Sequence, residues 1–247
     1  VDFYIDEHKY VSKVTGKILT SASQLIDFFC PTFDSSGQIT ANCAIKRGIT
    51  VEELQKEWAE ENRKACDKGH EIHAQVESWI KTGKVKSGKY KKIIQQITKI
   101  DFGSNKLISE KILSDDSLEL AGTVDILSDL GNNCYKIFDI KTNKKFSLRG
   151  FFKKGVGYEK MLYPINHIEA SLINKYSIQL ELYSLLCESY SYWIEDCEIL
   201  YINPNTLDVE RYPKRNMRQE VLDMIEVFNS RPIKPREIEK ENDEFGF

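Results

Sequence analysis

The run YKIFDIK (135–141) ends on an acid and a cation two residues apart, Asp139 and Lys141. In an extended strand, residues i and i+2 share a face. Asp139 and Lys141 therefore project together, while Phe138 and Ile140 turn the other way into a core. Upstream, the run GTVD sets Asp125 at the end of another strand-like segment. With a hairpin turn centred on Asn132, Asp125 falls directly opposite Asp139. Opposed side chains have Cβ atoms ~4.5–5.5 Å apart, and like charges there repel. Two such carboxylates need a proton, an arginine or a metal cation between them. Asp125, Asp139 and Lys141 are expected on one face, opposite Val124, Ile126, Phe138 and Ile140. Glu110, on a preceding strand, is a fourth candidate, with an exposed strand glutamate as the alternative reading. The chemistry that needs this set is metal-assisted phosphodiester hydrolysis. Carboxylate oxygens hold Mg2+ or Mn2+ and leave positions open for phosphate and water, and a lysine alongside orients the water or stabilises developing charge. A plain ion pair between Asp139 and Lys141 is the alternative.

Such a set needs a meander to position it. LISEKIL (107–113), LELAGTVDIL (118–127) and CYKIFDIK (134–141) read as strands separated by the turn-rich SDDS and SDLGNN. Ahead of them, Thr50 and Glu53 form a capping box for a long helix. Its Val51, Leu54, Trp58, Ala65, Ile72, Val76 and Trp79 lie on one stripe, and it ends near Gly83. A shorter helical stretch covers 89–100. TSASQLIDFF (20–29) offers Ser and Thr caps for a helix stopped by Pro31. Residues 1–19 read as a short hairpin, and 31–49 as a loop. After the meander, a loop with Gly150, Gly155 and Gly157 leads to a helix over 175–190. The strands CEILYIN and LDVERY flank the turn NPNT, and a helix spans 214–229 before a charged tail. No linker or repeat interrupts this order, which predicts one domain over 1–247. Its catalytic core covers about 50–212, between an N-terminal hairpin and helix (1–49) and a C-terminal helix and tail (213–247).

The 247 residues carry a net charge of −3 and are 41% hydrophobic, ordinary values for a globular protein. No apolar run approaches the ~18–20 residues of a membrane span, and no signal-peptide pattern opens the chain, so no membrane association is expected. The net charge does not advertise a nucleic-acid binder, but its distribution is uneven. Residues 84–99 hold six lysines and no acid; residues 136–160 hold eight basic residues against two acids. A locally basic face on an acidic protein suits phosphate contact, with a solvated lysine surface as the alternative. The six cysteines are scattered without a C-x-x-C pair, which predicts reduced thiols and an intracellular protein.

ELAGTVDIL followed by YKIFDIKTNKK resembles motifs II and III of the PD-(D/E)XK nuclease superfamily, most closely its RecB-like branch. GHEIHAQVE (69–77) resembles the glycine-x-x-x-histidine helix of that branch, with His73 where the family has a metal-contacting histidine. QLELY (179–183) matches the Q-x-x-x-Y helix that follows motif III. The four blocks come in the family's order over roughly 66–190. They are similar to those of phage-type and mitochondrial-genome-maintenance-type exonucleases and of recombination nucleases. The resemblance implies an α/β fold with a restriction-endonuclease-like core: a central mixed β-sheet with an antiparallel meander, flanked by helices. It implies a Mg2+- or Mn2+-dependent deoxyribonuclease, exonuclease favoured, serving DNA replication, recombination or repair. One or two ions would be held by His73, Asp125, Asp139 and the carbonyl of Ile140, with Glu110 contributing and Lys141 orienting the water.

The same resemblance turns Gln179 and Tyr183 toward the site, supporting His73, a water or a phosphate. It sets Lys144, Lys145, Arg149, Lys153 and Lys154 where a substrate strand would leave the metals; a solvated loop is the alternative. His73 by itself reads as a boundary histidine. Its spacing from His70 is i, i+3, whereas the zinc-protease pair is four apart. SASQLIDFFCP resembles a block that carries an iron–sulfur ligand in some relatives. Such a cluster needs four cysteines, and only Cys187 and Cys197 lie late in the chain, so no cluster is expected. No G-x-x-x-x-G-K-[ST] occurs, which leaves unwinding to a separate helicase. The partner implied is DNA, as single strands or duplex ends, in the cytoplasm of a bacterial or phage-infected cell, with the mitochondrion as the alternative. Two other functions fit the same residues: a structure-specific or nonspecific endonuclease, and a catalytically silent nucleic-acid-binding module. The acidic tail EKENDEFGF (239–247) resembles the tips by which single-strand-binding proteins dock on partners, with a packed or frayed terminus as the alternative.

Overall fold

The meander forms where apolar alternation places it, as β4 (Leu107–Asp115), β5 (Leu120–Gly131) and β6 (Cys134–Lys141). This computed structural model describes residues 1–4, 9–32, 37–85 and 88–231; the tail at 239–247 lies outside them. Asn132 and Asn133 turn the β5–β6 hairpin with φ of 52° and 58°, the left-handed pair of a type I′ turn. The register then slips by one between Asp129 and Gly131. That bulge leaves Ile126 opposite Phe138, the same register a turn centred on Asn132 implies.

From β6 the chain crosses through α5 (Leu172–Glu188) to β9 (Trp193–Ile202), which pairs with β6 in parallel; β10 (Val209–Pro213) then returns antiparallel on β9. The N-terminal strands β1 (Asp2–Tyr4), β2 (Lys9–Val11) and β3 (Ile18–Ser21) are antiparallel in turn. The expected hairpin is thus extended by β3, which joins the main sheet parallel to β5 through Thr20↔Leu120 and Ser21↔Ala121. The sheet order is β1-β2-β3-β5-β6-β9-β10, with β4 along the other edge of β5. A separate small hairpin, β7 (Phe152–Lys153) and β8 (Gly157–Tyr158), lies between β6 and α5.

Helices cover both faces. On one, α1 (Ala22–Phe28), α5 and α6 (Arg218–Asn229) bury Leu25, Phe29, Ile178 and Leu182 against Ile137 and Ile199. On the other, α3 (Val51–Thr82) and α4 (Lys91–Ile97) bury Ile72, Val76 and Ile93 against Ile126, Phe138, Ile140 and Leu200. The mixed sheet with its antiparallel meander, flanked by helices, is the α/β architecture expected from the sequence. Thr50 and Glu53 close a capping box on α3, and Gly83 ends it in the left-handed conformation.

Two expectations are corrected. Residues 31–49 are not all loop: α2 (Gln38–Arg47) lies within them and ends at Gly48 with φ 67°. Only Thr40 and Ala44 of α2 are buried, so too few apolar positions repeat to signal a helix. Nor does the apolar stripe of α3 stay buried along its length. Between Leu54 and Gly69 none of its residues is buried, and Ala65 is exposed. α3 is 32 residues long, roughly 48 Å, and beyond Leu54 its buried residues all fall between Gly69 and Ser78. Among the described residues no helix is long and apolar enough to cross a membrane.

Candidate active site

The candidate site sits where the sheet parts. One edge of β5 pairs with β3 at residues 120–121 and with β6 at 126–131. Residues 122–125 have no strand partner on that edge. Strand alternation also breaks here. Val124 packs on the α5 side and Ile126 on the α3 side, although i and i+2 of a regular strand share a face. In β4, Leu107 likewise packs on the α3 side and Leu113 on the α5 side. Both breaks fall at Glu110 and Asp125. Glu110 has φ 51°, a left-handed conformation that costs a non-glycine residue ~1–2 kcal/mol. Because both strands skip together, the register is the same on either side: Ser109 faces Ile126 and Lys111 faces Val124. The expectation of Asp125, Asp139 and Lys141 on one face, opposite both Val124 and Ile126, is therefore corrected. Asp139 and Lys141 turn toward α5, and Asp125 occupies the break.

The break gives Asp125 reach in two directions. Its Oδ2 accepts the Ile140 N–H at 2.6 Å, and its Oδ1 lies 3.4 Å from Nδ1 of His73 on α3. The β5–β6 ladder pairing stops at Ile126↔Phe138, so Asp125 binds the β6 backbone with its side chain at the point where strand pairing ends. Burial alone would raise the Asp125 carboxyl; His73, Lys141 and the Ile140 N–H outweigh it and hold the group below its ordinary value. His73 moves up in response, since Asp125 and then Glu110 outweigh its burial. Burial, then the charge of Asp125, pushes Glu110 up to about 7.

Asp139 is the most enclosed acid, with its side chain 2% exposed. The Lys141 ammonium, 17% exposed, lies 2.8 Å from Asp139 Oδ2. The contact is out of hydrogen-bond alignment, so this buried oxygen has no hydrogen-bond partner. Burial pushes the Asp139 carboxyl up to about 6 in spite of the lysine. Lys141 is raised, with Asp139 and Asp125 outweighing its burial.

These residues fit a divalent cation. His73, Glu110 and Asp125 each offer a ligand atom, and the three atoms lie within 4.8 Å of one another. In an octahedral shell at ~2.1 Å, adjacent ligands lie about 3.0 Å apart and opposed ones about 4.2 Å, so the three atoms would draw together to share one ion. Two carboxylates and an imidazole are donors that Mg2+ or Mn2+ can use, and beside them Asp139 Oδ2 makes an ionic contact with Lys141 but no hydrogen bond. His70 is exposed and stands outside this group. Ile140 enters the site through its N–H and buries its side chain in the core.

The structure distributes the remaining candidates differently. Gln179 and Tyr183 meet each other, the amide donating to the phenol oxygen at 2.7 Å; His73 lies across the sheet on α3. The Tyr183 ring covers Gly122 so closely that a Cβ there would lie 2.5 Å from a ring carbon. Tyr183 is buried, so the ring has nowhere to go. Gly122→Ala is expected to destabilise the fold by ~1–3 kcal/mol, as overpacking does, read as a lower urea midpoint; an unchanged midpoint would mean the ring yields. Arg149 makes two bonds of 2.8 Å to Glu169, Lys153 pairs with Glu159 at 2.6 Å, and Lys144 reaches Glu61 at 3.7 Å. Lys145 and Lys154 are exposed and have no ion-pair partner among the described residues.

Sequence reasoning missed Tyr176, whose ring centroid is 4.8 Å from the Lys141 ammonium and whose hydroxyl donates to Asn143 Oδ1. Burial pushes this phenol up to about 12, so it stays neutral and presents a π-face to the cation. The signal was available, because Tyr176 lies one and two helical turns before Gln179 and Tyr183. Tyr10 was also missed. Its hydroxyl shares a 2.9 Å hydrogen bond with Thr123 in the gap beside Asp125, a contact 113 residues apart in sequence that no local pattern announces.

No family model matches this chain, and no curated protein does. Among solved structures, a "putative exonuclease" from Eubacterium rectale is 13% identical, with a TM-score of 0.42, over 65% of this chain and 64% of that protein's length. A second, SSO0001, is 16% identical with a TM-score of 0.28, over 76% of this chain and 90% of the other.

Proposed function

We propose that this protein is a Mg2+- or Mn2+-dependent deoxyribonuclease that hydrolyses phosphodiester bonds, as an exonuclease. The observation that carries the chemistry is the convergence of His73, Glu110 and Asp125 ligand atoms within 4.8 Å, next to a buried carboxylate oxygen without a hydrogen-bond partner and a lysine. That DNA is the substrate, and that cleavage starts from ends, rests on the resemblance of the four sequence blocks to RecB-like nucleases.

His73, Glu110, Asp125 and Asp139 would hold the ion or ions, which supply Lewis-acid polarisation of the phosphate and activation of water when bound. Asp125 keeps β6 in place through the Ile140 N–H, so the Asp139–Lys141 segment is fixed against the cluster. The Lys141 ammonium donates to the attacking water and to the developing charge on phosphate oxygens. The Tyr176 ring below it and Asp139 beside it restrict the rotamers of a flexible side chain, so it meets the substrate already oriented.

The deciding assay uses 5′- and 3′-labelled single- and double-stranded DNA, plus a closed circle, with and without Mn2+. Mn2+-dependent shortening from an end, with the circle intact, is expected. Cutting of the circle would make the protein an endonuclease, and intact DNA throughout would leave only a binding module. Binding in EDTA should weaken with salt, by a slope near −0.7 per phosphate contact on single strands. Reversing the two unpaired lysines, Lys145→Glu with Lys154→Glu, should flatten that slope by about 1.4; an unchanged slope would mean that this loop does not hold phosphates.

A further inference from the structure

Between β6 and α5 the chain leaves the sheet and carries rings outward. Phe151 is 66% exposed, Phe152 59% and Tyr163 70%. Aromatic rings normally dominate cores and interfaces, so three left in water within thirteen residues mark a contact surface. Tyr158 pairs with Phe152 across β7 and β8, edge to face at 5.2 Å between ring centroids. The Arg149 guanidinium lies 4.0 Å from the other ring of this pair, Tyr158. A row of guanidinium and two rings is thus assembled before any ligand arrives.

Charge and position say what covers these rings. Of the six basic residues in 144–163, Lys144, Arg149 and Lys153 pair with Glu61, Glu169 and Glu159, while Lys145, Lys154 and Lys160 have no ion-pair partner among the described residues; these three cations suit a polyanion better than an apolar protein contact. The segment is also anchored at the candidate site. Phe146 lies 6.0 Å from Tyr176, the ring beside the Lys141 ammonium. Ser147 accepts the Leu172 and Ile173 N–H groups at the start of α5, at 3.2 and 3.1 Å. A duplex keeps its base faces stacked inside and offers these rings nothing, whereas a single strand offers a π-face at every nucleotide.

We infer that the β7–β8 segment is a base-stacking platform for unpaired DNA. Phe151, Phe152 and Tyr163 each offer an exposed face to an unpaired base, and Lys145 and Lys154 hold phosphates. The inference rests on the nuclease reading and narrows its substrate to strands with unpaired bases near the cleavage point.

The test measures binding in EDTA, where no metal-dependent cleavage competes. A labelled oligothymidylate and a blunt duplex of equal length are titrated with wild-type protein and with the triple variant Phe151→Ala, Phe152→Ala, Tyr163→Ala. One base–aromatic stack is worth about 5- to 150-fold in affinity, so single-strand binding should fall by at least the lower figure. Duplex binding and the salt slope should stay as they were, because the phosphate contacts remain. Phe152→Trp should keep single-strand affinity and add an indole fluorescence signal quenched by oligothymidylate. Unchanged single-strand affinity in the triple variant, an equal loss on duplex, or an added indole signal that oligothymidylate leaves unquenched each overturns the platform. A wild-type protein that cleaves single strands while the triple variant binds them normally sinks the platform alone. Ring-dependent binding by a wild type that cuts no DNA with Mn2+ sinks the nuclease reading and leaves the platform standing.

Discussion

Lys141→Ala is expected to lower the cleavage rate by ~10²–10³ at saturating Mg2+, the usual loss when one preorganised electrostatic group is removed. DNA binding and the melting-temperature rise induced by Mn2+ should survive, because the ammonium is not a metal ligand. The substitution also has a stability signature in EDTA. Folding raises the Asp139 carboxyl from its ordinary 3.8 to about 6. The folded chain therefore holds this proton more tightly than the unfolded one, and stability from this group declines as pH rises from the unfolded value through the folded value. Lys141 limits the shift by favouring the carboxylate. Without it the decline continues to higher pH, so the variant's stability deficit should widen as the pH rises above about 6. Near-normal turnover would remove Lys141 from the chemistry. A deficit that is constant across this range would instead mean that its contribution is packing on Tyr176.

Asp125→Asn should erase both cleavage and most of the metal-induced stabilisation. A cation binding only the folded state at a hundred times its Kd adds ~2.7 kcal/mol; for a chain of this size that is a Tm rise of roughly 5–10 °C. The variant should lose most of this rise while its metal-free Tm stays close to wild type. The asparagine amide keeps an oxygen that can accept the Ile140 N–H, and removing the charge relieves Glu110, whose carboxyl Asp125 helps to push up. The cost is the attraction to His73 at 3.4 Å. A metal-free variant that melts several degrees lower would show that the His73–Asp125 pair is structural, and differential scanning calorimetry with and without Mn2+ separates the two outcomes.

Much of this architecture was legible in the chain because its signals are local. The α3 cap at Thr50 and Glu53, its stop at Gly83 and the three meander strands follow from capping chemistry, a glycine with φ 68° and apolar alternation. The β5–β6 register was legible through two features that offset each other: an Asn132–Asn133 turn and a one-residue bulge after Asp129. The helix α2 was not legible, since it buries only two residues and so carries no strong period. Arg149 reads as a phosphate ligand from its place in a basic run, yet it is bidentate on Glu169, twenty residues on.

The sequence by itself determined which residue types could gather: carboxylates at strand ends, a histidine on a helix face, and a lysine two residues from an aspartate. Strand and helix periods alone assign those positions to faces. The tertiary structure decided where the two faces communicate. Because β3 and β6 share one edge of β5, residues 122–125 are left without a strand partner there. The break in alternation at Glu110 and Asp125 then lets an acid of β5 reach both His73 on α3 and the backbone of β6. Neither event has a period to read, because each depends on pairing between segments about a hundred residues apart or on a backbone conformation that glutamate ordinarily avoids.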